Sequence, residues 1–392
     1  MKALTRTIWL LSIISMFADV ASEMLYPIIP IYLKTIGFSV VLIGILEGVA
    51  EATAGLSKGY FGRLSDQTGR RVPFVQIGYF LSNISKPMMV VFVYPFWVFM
   101  ARTFDRMGKG IRTGARDAML SDEATESTKG MVFGFHRSMD TLGAVIGPLL
   151  ALLFLYYYPG QYKVIFLLSF IPGIFAILIT FFLKESKHLV KNTTSQKGLF
   201  SFIHYWKESP ILYRKVVVGF LVFALFNSSD FFLLLKATQA GLSDTWVIGI
   251  YVFYNLIYAI FSLPLGILAD KIGLKKIFIS GLLLFAIVYF GISISTSPYY
   301  FIAIFFLYGL FAAATEGISK AWISNLCDSK DTATAIGTYT GFSSVATLVA
   351  SLAAGLVWQL TTPAMTFFLA AAGGGLSLIY FLFLRSETAE SR

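Results

Sequence analysis

The sequence predicts an all-α polytopic membrane protein, with twelve transmembrane helices in two pseudo-symmetric six-helix bundles. Three observations lead to this fold class. The 392 residues are 57% hydrophobic and only 13% charged, with a mean hydropathy of +0.74, whereas about a quarter of a soluble domain is charged. The apolar residues fall into segments long enough to cross a bilayer. A charged motif also recurs after about half the chain, so we expect two related bundles.

Charge and cysteine content restrict the possible partners. A net charge of +10 would favour nucleic acid as the partner of a soluble protein. Here the basic residues lie mainly between apolar segments, where they act as topology signals. We therefore expect a lipid bilayer and no nucleic acid. The one cysteine, Cys327, excludes an intramolecular disulfide and gives no metal cluster, and no cofactor is predicted.

The spans follow from the length of the apolar segments, because a helix needs roughly 20 apolar residues to cross the bilayer. In the first half we predict spans near 7–33, 40–61, 72–93, 95–118, 130–156 and 163–183. In the second half we predict spans near 214–238, 245–268, 275–296, 299–325, 333–360 and 364–385. The first segment is long enough to remain as a spanning helix rather than a cleaved signal peptide.

The domain boundaries come from the longest polar interval. It divides the chain into an N-terminal bundle (1–183), a linker (184–213) and a C-terminal bundle (214–392). The linker and loops 62–71 and 270–276 are rich in Lys and Arg, which places them in the cytoplasm. Both termini should then be cytoplasmic too. We expect a multi-pass monomer in the cell's inner (plasma) membrane.

A loop motif is present twice. The stretch "GRLSDQTGRR" (62–71) recurs as "GILADKIGLKK" (266–276), each time after the second span of its half. Such a repeat indicates two homologous bundles with substrate bound between them. The residues that carry the motif are Gly62, Asp66, Gly69, Arg70, Arg71, Gly266, Asp270, Gly273 and Lys276.

With this motif the sequence resembles the major facilitator superfamily of secondary transporters over nearly its whole length, in particular prokaryotic proton-coupled drug and metabolite antiporters. The stretches "YPIIP" (26–30), "RMGKG" (106–110) and "GAVIGP" (143–148) support the resemblance. Gly143, Gly147 and Pro148 match a fifth-helix motif that is associated with antiporters. The resemblance implies that Asp66 caps a helix of the other half and latches one conformation. The alternative is a polar turn that only fixes the topology.

A stripe of charge runs along the fourth predicted span. Its members recur every three or four residues, so they share one helical face: Arg102, Asp105, Arg106, Lys109, Arg112 and Arg116. Charges inside a membrane normally face a wet cavity or a protein partner rather than lipid. We predict that Arg102, Asp105, Arg106 and Lys109 line a central cavity and bind substrate. Arg116 and Asp117 are expected to emerge into the cytoplasm.

Several titratable residues are candidates for proton coupling. They are Asp19, Glu23, Glu47, Glu51, His136 and Asp140. The first four form pairs spaced by four residues, and neighbouring carboxylates in a low dielectric resist ionising together. One of them can therefore carry a proton. The alternative is that these acids only neutralise the arginines.

The remaining candidates for substrate binding lie partly in the second half. They are Arg137, Asn227, Asp230, Glu316 and Lys320. The alternative for Glu316 and Lys320 is a local ion pair between residues four apart on one helix.

These features predict a secondary active transporter that moves a small organic solute by alternating access, coupled to protons. Efflux of a drug-like or amphipathic compound by antiport is the leading hypothesis. Proton-coupled transport of an organic anion, including uptake, is the alternative, because the cationic stripe can neutralise a carboxylate or phosphate. A transport-inactive sensor is a remote alternative. No HExxH or Walker motif is present, so we expect neither an enzyme nor direct ATP use.

Overall fold

The structure is a computed structural model that describes residues 4–26, 28–185, 201–294 and 299–384. Over these ranges the chain forms helices and no strand. The helices of the first half are α1 (Arg6–Glu23), α2 (Ile29–Thr35), α3 (Val40–Thr68), α4 (Val72–Val91), α5 (Pro95–Asp122), α6 (Lys129–Tyr157) and α7 (Tyr162–Thr180).

The second half follows a short 3-10 turn at Ser201–His204, and a second such turn, Ser329–Asp331, precedes α14. Its helices are α8 (Tyr205–Glu208), α9 (Ile211–Ala224), α10 (Phe231–Gln239), α11 (Asp244–Ile272), α12 (Leu274–Ile294), α13 (Tyr300–Asn325), α14 (Thr332–Leu360) and α15 (Pro363–Phe383).

Capping residues fix several helix ends. The Ser39 hydroxyl accepts a hydrogen bond from the Leu42 amide at the start of α3, and Thr5 and Thr362 do the same for α1 and α15. Such caps satisfy amides that have no partner inside the helix. At the other end of α3, Gly69 takes φ +64°, a left-handed conformation that glycine adopts without strain. The first loop motif therefore also ends a helix.

Seven stretches within the described residues are long and apolar enough to cross a membrane. They are Lys129–Tyr157, Tyr162–Thr180, Trp246–Ile272, Leu274–Ile294, Tyr300–Asn325, Ser329–Leu360 and Pro363–Phe383. A multi-pass membrane protein is thus confirmed. Helix α5 is long enough but is not among them, because its stripe of charge interrupts the apolar sequence.

The structure differs from the sequence prediction at two spans. The span predicted near 7–33 is two helices, because α1 ends at Glu23 and α2 begins at Ile29. The span near 214–238 is also interrupted. Helix α9 ends at Ala224 and α10 begins at Phe231, so the span is broken in the middle. The intervening sequence "LFNSSD" contains Asn and Ser, whose side chains compete with the helix for backbone hydrogen bonds. The Ser229 amide, for example, donates to the Ser351 hydroxyl of α14. The break exposes polar groups at the depth of the cavity described below.

The two halves meet mainly along two pairs of helices. Helix α3 of the first half packs against α14, and α11 of the second half packs against α6. Large apolar side chains such as Phe80, Leu153 and Leu352 are more than half exposed. In a chain that spans a bilayer, such residues face lipid. The polar surface is therefore left for the space between the halves.

Candidate functional site

A polar cavity of about 660 Å³ lies between the two halves. Helices α1, α3, α5 and α6 line it on one side, and α11, α13, α14 and the break between α9 and α10 line it on the other. Its charged lining residues are Asp19, Glu23, Glu51, Lys58, Lys109, Arg112, Arg116, Arg137, Asp140, Asp230, Glu316 and Lys320. Both halves thus contribute charge to one space.

Three of the cavity cations form no ion pair with any described residue: Lys58, Lys109 and Arg112, named here the cation trio. Among the described residues, Lys58 donates only to the Ser344 hydroxyl, at 3.3 Å. The guanidinium carbon of Arg112 lies 4.4 Å from the centroid of the Tyr79 ring. Its Nε and Nη1 atoms are buried and have no hydrogen-bond partner among the residues that the structure describes. The trio therefore presents positive charge that no described side chain neutralises by direct contact.

A smaller pocket of about 190 Å³ continues into the first half. In this pocket, the charges at the N-terminal end of the stripe form ion pairs. Arg102 pairs with Asp105 at 3.2 Å, and Arg106 pairs with Glu51 at 3.0 Å. Asp105 also accepts a hydrogen bond from Ser82 at 2.6 Å. The stripe thus changes along α5 from paired charges to Lys109 and Arg112, which have no ion-pair partner among the described residues.

Arg116 and Asp117 do not emerge into the cytoplasm, so that expectation is wrong. Both are buried, because α5 continues to Asp122 and packs between the halves. Asp117 is fully buried and forms ion pairs with Arg116 at 2.9 Å and with Lys320 of α13 at 2.7 Å. A carboxylate of one half therefore neutralises a cation of the other.

A second ionic link between the halves involves Arg137 of α6. Its guanidinium pairs with Asp140 on the same helix and with Glu316 of α13, both at 2.8 Å. Asp140 also accepts from Ser15 of α1 at 2.5 Å. Glu316 and Lys320 thus each pair across the cavity, and no local pair between them is present in the structure.

The two acids of α1 lie against α6. A side-chain carbon on Gly143 would lie 2.9 Å from the Cβ atom of Asp19, and one on Gly147 would lie 2.8 Å from the Met24 amide nitrogen. The fifth-helix glycines, which Pro148 follows in α6, therefore let α1 approach closely. Glu23 accepts a hydrogen bond from Tyr251 of α11 at 3.1 Å. Asp19 and Glu23 line the cavity together with Lys109 of α5.

The second half provides one carboxylate that tyrosines, rather than cations, surround. Asp230 accepts hydrogen bonds from Tyr254 at 2.8 Å and from Tyr308 at 2.5 Å, and it forms no ion pair among the described residues. It lies at the N-terminus of α10, beside the helix break. Asn227 also lines the cavity, and its buried Oδ1 atom has no hydrogen-bond partner in the described part of the chain. The break therefore directs polar groups into the cavity.

Two candidates are not part of this assembly as the structure describes it. His136 is buried behind the cavity wall, where its Nδ1 atom lies 3.5 Å from the Ser12 hydroxyl. The side chain of Glu47 lies outside the described residues. Among the residues that are described, no cluster of acids, histidines and cysteines could hold a metal ion.

At one end of the cavity, the first loop motif contacts the second half. Asp66 accepts hydrogen bonds from both the amide and the hydroxyl of Thr334, each at 2.6 Å, in the first turn of α14. Arg71 holds the same carboxylate at 2.5 Å. A carboxylate at a helix N-terminus satisfies free amides and is favoured by the helix dipole. Asp66 thus caps a helix of the other half.

The second copy of the motif makes the reciprocal contact. Asp270 accepts hydrogen bonds from the amides of Gly130 and Met131, both at 2.7 Å, in the first turn of α6. A side-chain carbon on Gly62 would lie 2.5 Å from the Ala333 carbonyl oxygen, and Gly266 contacts Gly130 as tightly. The repeat therefore places two equivalent contacts on one side of the cavity.

The remaining positions of the motif are two basic residues and a glycine. Arg70 and Lys276 are exposed, and Gly273 ends α11 with φ +107°. Lys129 at the start of α6 donates to the Ser324 carbonyl oxygen of α13, a further contact between the halves at this end.

Sequence reasoning missed several cavity residues. Lys58 and Lys86 are each the single cation of a predicted span, and that isolation was the available signal. The tyrosines that donate to Glu23 and Asp230 gave no signal, because aromatic residues are common throughout the chain.

The two helical halves around a charged internal cavity define a membrane transporter. The family model for the Major Facilitator Superfamily matches residues 11–254 and 236–392. The chain therefore belongs to the major facilitator superfamily.

Relatives and solved structures agree with this assignment. The chain is 32% identical over 390 residues to an uncharacterized MFS-type transporter of Methanocaldococcus jannaschii, covering 98% of this chain and 96% of the relative. It is 22% identical over 292 residues to a Lactococcus lactis homologue of the multidrug resistance efflux pump PmrA, covering 72% and 71%. The crystal structure of the human organic anion transporter MFSD10 has the same fold, with a TM-score of 0.81, 13% identity and coverage of 96% and 99%.

Proposed function

We propose that this protein is a secondary active transporter that couples the movement of an organic anion to protons by alternating access. It would work as a monomer in the cell's inner membrane, with twelve spans and both termini in the cytoplasm. The observation that carries the proposal is the cation trio, Lys58, Lys109 and Arg112, which faces the central cavity without an ion pair among the described residues.

The electrostatics of the cavity favour an anionic substrate. A cation removed from bulk water is costly unless an opposite charge compensates it. A carboxylate or phosphate placed among Lys58, Lys109 and Arg112 would supply that compensation, and arginine binds such groups with good geometry. The paired residues Arg102, Asp105 and Arg106 would lie next to the bound anion's site, in the smaller pocket, and help to hold the trio in position. On the opposite wall, Asn227, Glu316 and Lys320 would contact the rest of the substrate. Arg137 of α6, which pairs with Glu316, would contact it as well.

Proton coupling would come from the acids of α1. Ionised Asp19 and Glu23 attract Lys109, and they repel an incoming anion. Once protonated, the two carboxyl groups neither attract Lys109 nor repel the anion. Binding of a proton therefore favours binding of the anion, and the reverse. This linkage supports symport, and hence uptake where the proton gradient points inward. Glu47, Glu51, His136 and Asp140 are the remaining candidates for proton relay.

The loop motif would hold one conformation. The two caps, Asp66 on α14 and Asp270 on α6, lie on the side that the sequence predicts to be cytoplasmic. We propose that they latch the cytoplasmic side shut while the cavity opens to the outside. When the latches release, the two halves would rock about the cavity.

The test begins with ligand stabilisation, because anything that binds the folded state raises its melting temperature. Purified full-length protein is screened against a panel of organic carboxylates and phosphates, and the best ligand is then taken up into proteoliposomes with an imposed pH gradient. We expect uptake that depends on the gradient and is at least tenfold weaker in Lys109→Gln and Arg112→Gln. The matched control is Lys163→Gln, which changes an exposed lysine of α7 outside the cavity and the loop motif. Undiminished uptake by both cavity variants would refute the proposal.

Efflux of a cationic or amphipathic drug is the second candidate, and Asp230 favours it. This carboxylate faces the cavity with tyrosine donors and no described cation. Tyr251, Tyr254 and Tyr258 add an aromatic wall that suits such a compound. The similarity to a homologue of a multidrug efflux pump points the same way. Drug binding that is lost in Asp230→Asn but kept in Lys109→Gln would favour efflux over anion transport.

A further inference from the structure

A second large cavity is apolar and lies at the lipid-facing surface. It has a volume of about 670 Å³ and lies between α3, α9, α14 and the segment 202–206. Its lining is almost entirely hydrocarbon: Gly55, Leu56, Phe202, Ile203, Trp206, Val218, Leu221, Val222, Leu225, Gly341, Phe342, Val345, Ala346 and Val349. Val345 and Val349 are about half exposed. We call this space the lateral groove, and its size and chemistry suit an acyl chain.

Both halves of the transporter form the lateral groove. Its floor is the crossing of α3 and α14, where a side-chain carbon on Gly341 would lie 3.0 Å from the Gly55 carbonyl oxygen. On the far side of this crossing, Lys58 and Ser344 face the central cavity. The groove therefore exists in this form only while α3 packs against α14.

Aromatic residues close one end of the groove. The ring of Phe202 packs against Gly59 of α3. The centroids of the Phe202 and Phe342 rings are 6.1 Å apart. The ring of Trp206 also packs edge-on against Phe342, with the ring centroids 6.0 Å apart. Trp side chains are enriched where the hydrocarbon of a bilayer meets its head groups. This end of the groove is therefore at the level of the predicted cytoplasmic head groups.

A cation stands at the same end. Arg214 lies one helical turn before Val218 on α9, on the face that continues through Leu221 and Leu225. Helical side chains lean towards the N-terminus of their helix, so Arg214 leans towards the head groups. Its Nε atom is buried without a hydrogen-bond partner, and its guanidinium forms no ion pair among the described residues. The face of α9 that lines the groove thus leads to a positive charge that pairs with no described side chain.

We propose that the lateral groove binds an anionic phospholipid, with one acyl chain against α9 and α14 and the phosphate on Arg214. The chemistry of the ligand matches the site at both ends: hydrocarbon along the groove, and negative charge at its mouth. Because α3 belongs to one half and α9 and α14 to the other, the bound lipid stabilises the conformation in which the halves touch here. The lipid thereby biases the transport cycle without entering the central cavity.

The test measures thermal unfolding of the delipidated full-length protein in detergent while lipid is added. Phosphatidylglycerol is compared with phosphatidylcholine of the same chains, and with glycerol phosphate as the head group alone. For the wild type we expect phosphatidylglycerol to raise the melting temperature at a concentration at least tenfold below that of phosphatidylcholine. Glycerol phosphate should have no effect. Equal effects of the two lipids, or stabilisation by glycerol phosphate, would overturn the proposal.

Variants locate the lipid in the groove. Arg214→Gln should abolish the preference for phosphatidylglycerol, and Arg214→Lys should restore most of it. Val222→Trp fills the groove and should abolish stabilisation by either lipid. The controls are Lys207→Gln, an exposed cation nearby, and Leu283→Trp, which adds the same bulk to a lipid-facing site on α12. A preference that survives in Arg214→Gln contradicts the proposal even where Val222→Trp fails to fold.

Discussion

Asp117 of α5 and Lys320 of α13 form a 2.7 Å ion pair that joins the two halves beside the central cavity. Asp117 is fully buried and also holds Arg116 at 2.9 Å. One carboxylate therefore neutralises a cation from each half. Removing it leaves two charges uncompensated, whereas removing Lys320 leaves the pair with Arg116 intact.

The first prediction concerns this pair. Asp117→Asn should lower the melting temperature of the full-length protein in detergent more than Lys320→Met does, because breaking a buried pair from one side costs about 3–5 kcal/mol. The control is Asp328→Asn, which removes the 3.3 Å exposed pair with Lys330 and should change little. Equal losses for Asp117→Asn and Lys320→Met would show that the buried carboxylate does not serve both cations.

The second prediction uses the single cysteine as a reporter. Cys327 follows α13, next to Lys129 of the other half, and burial raises the pKa of its thiol to about 12. The thiolate is the reactive form, so a raised pKa keeps the reactive fraction low at neutral pH. We expect alkylation by iodoacetamide to be slow and to keep accelerating up to at least pH 10. A rate that levels off near pH 9 would indicate an ordinary, solvated thiol.

The third prediction tests the latch with that reporter. Asp270→Ala removes the cap on the Gly130 and Met131 amides, which costs roughly 0.5–2 kcal/mol. The halves should then part more often at this end, and Cys327 should be alkylated about 2- to 30-fold faster, by the usual tenfold per 1.4 kcal/mol. Asp66→Ala should act in the same direction, although its charge also influences the thiol directly. An unchanged rate in Asp270→Ala would limit the motif to fixing topology.

The fourth prediction concerns the close approach of α3 and α14. A side chain on Gly62 would collide with the Ala333 carbonyl oxygen, whereas the same change at Gly375 of α15 meets nothing within 4 Å. Gly62→Ala should therefore accelerate alkylation of Cys327, and Gly375→Ala should leave the rate at the wild-type value. Equal rates of Cys327 alkylation in the two variants would mean that a methyl group at Gly62 does not weaken the contact between α3 and α14.

The sequence predicted the position of a side chain correctly where a single physical rule decides that position. The three- and four-residue spacing of the stripe predicted that α5 turns its charges inwards, since lipid cannot solvate them. The doubled motif pointed to Asp66 and Asp270, whose contacts with the opposite half follow from the repeat. In both cases a local pattern was enough to place the side chain.

The sequence was misleading where tertiary contacts decide. Glu316 and Lys320 have the spacing of a local pair, but Arg137 and Asp117 of the other half are their partners. Arg116 was predicted to emerge into the cytoplasm, because the length of α5 and its burial between the halves are not visible in its own sequence. The tyrosines around Asp230 come from α11 and α13, and only the fold brings them together.

The central claim is that the cation trio binds an organic anion together with protons. The most direct measurement is the binding of the best anion from the panel to wild type and to Lys109→Gln, at pH 6 and at pH 8. The account predicts tighter binding by the wild type at pH 6 than at pH 8, and a loss of at least tenfold in Lys109→Gln at both. Binding that is equally tight in Lys109→Gln, with no dependence on pH, would contradict it.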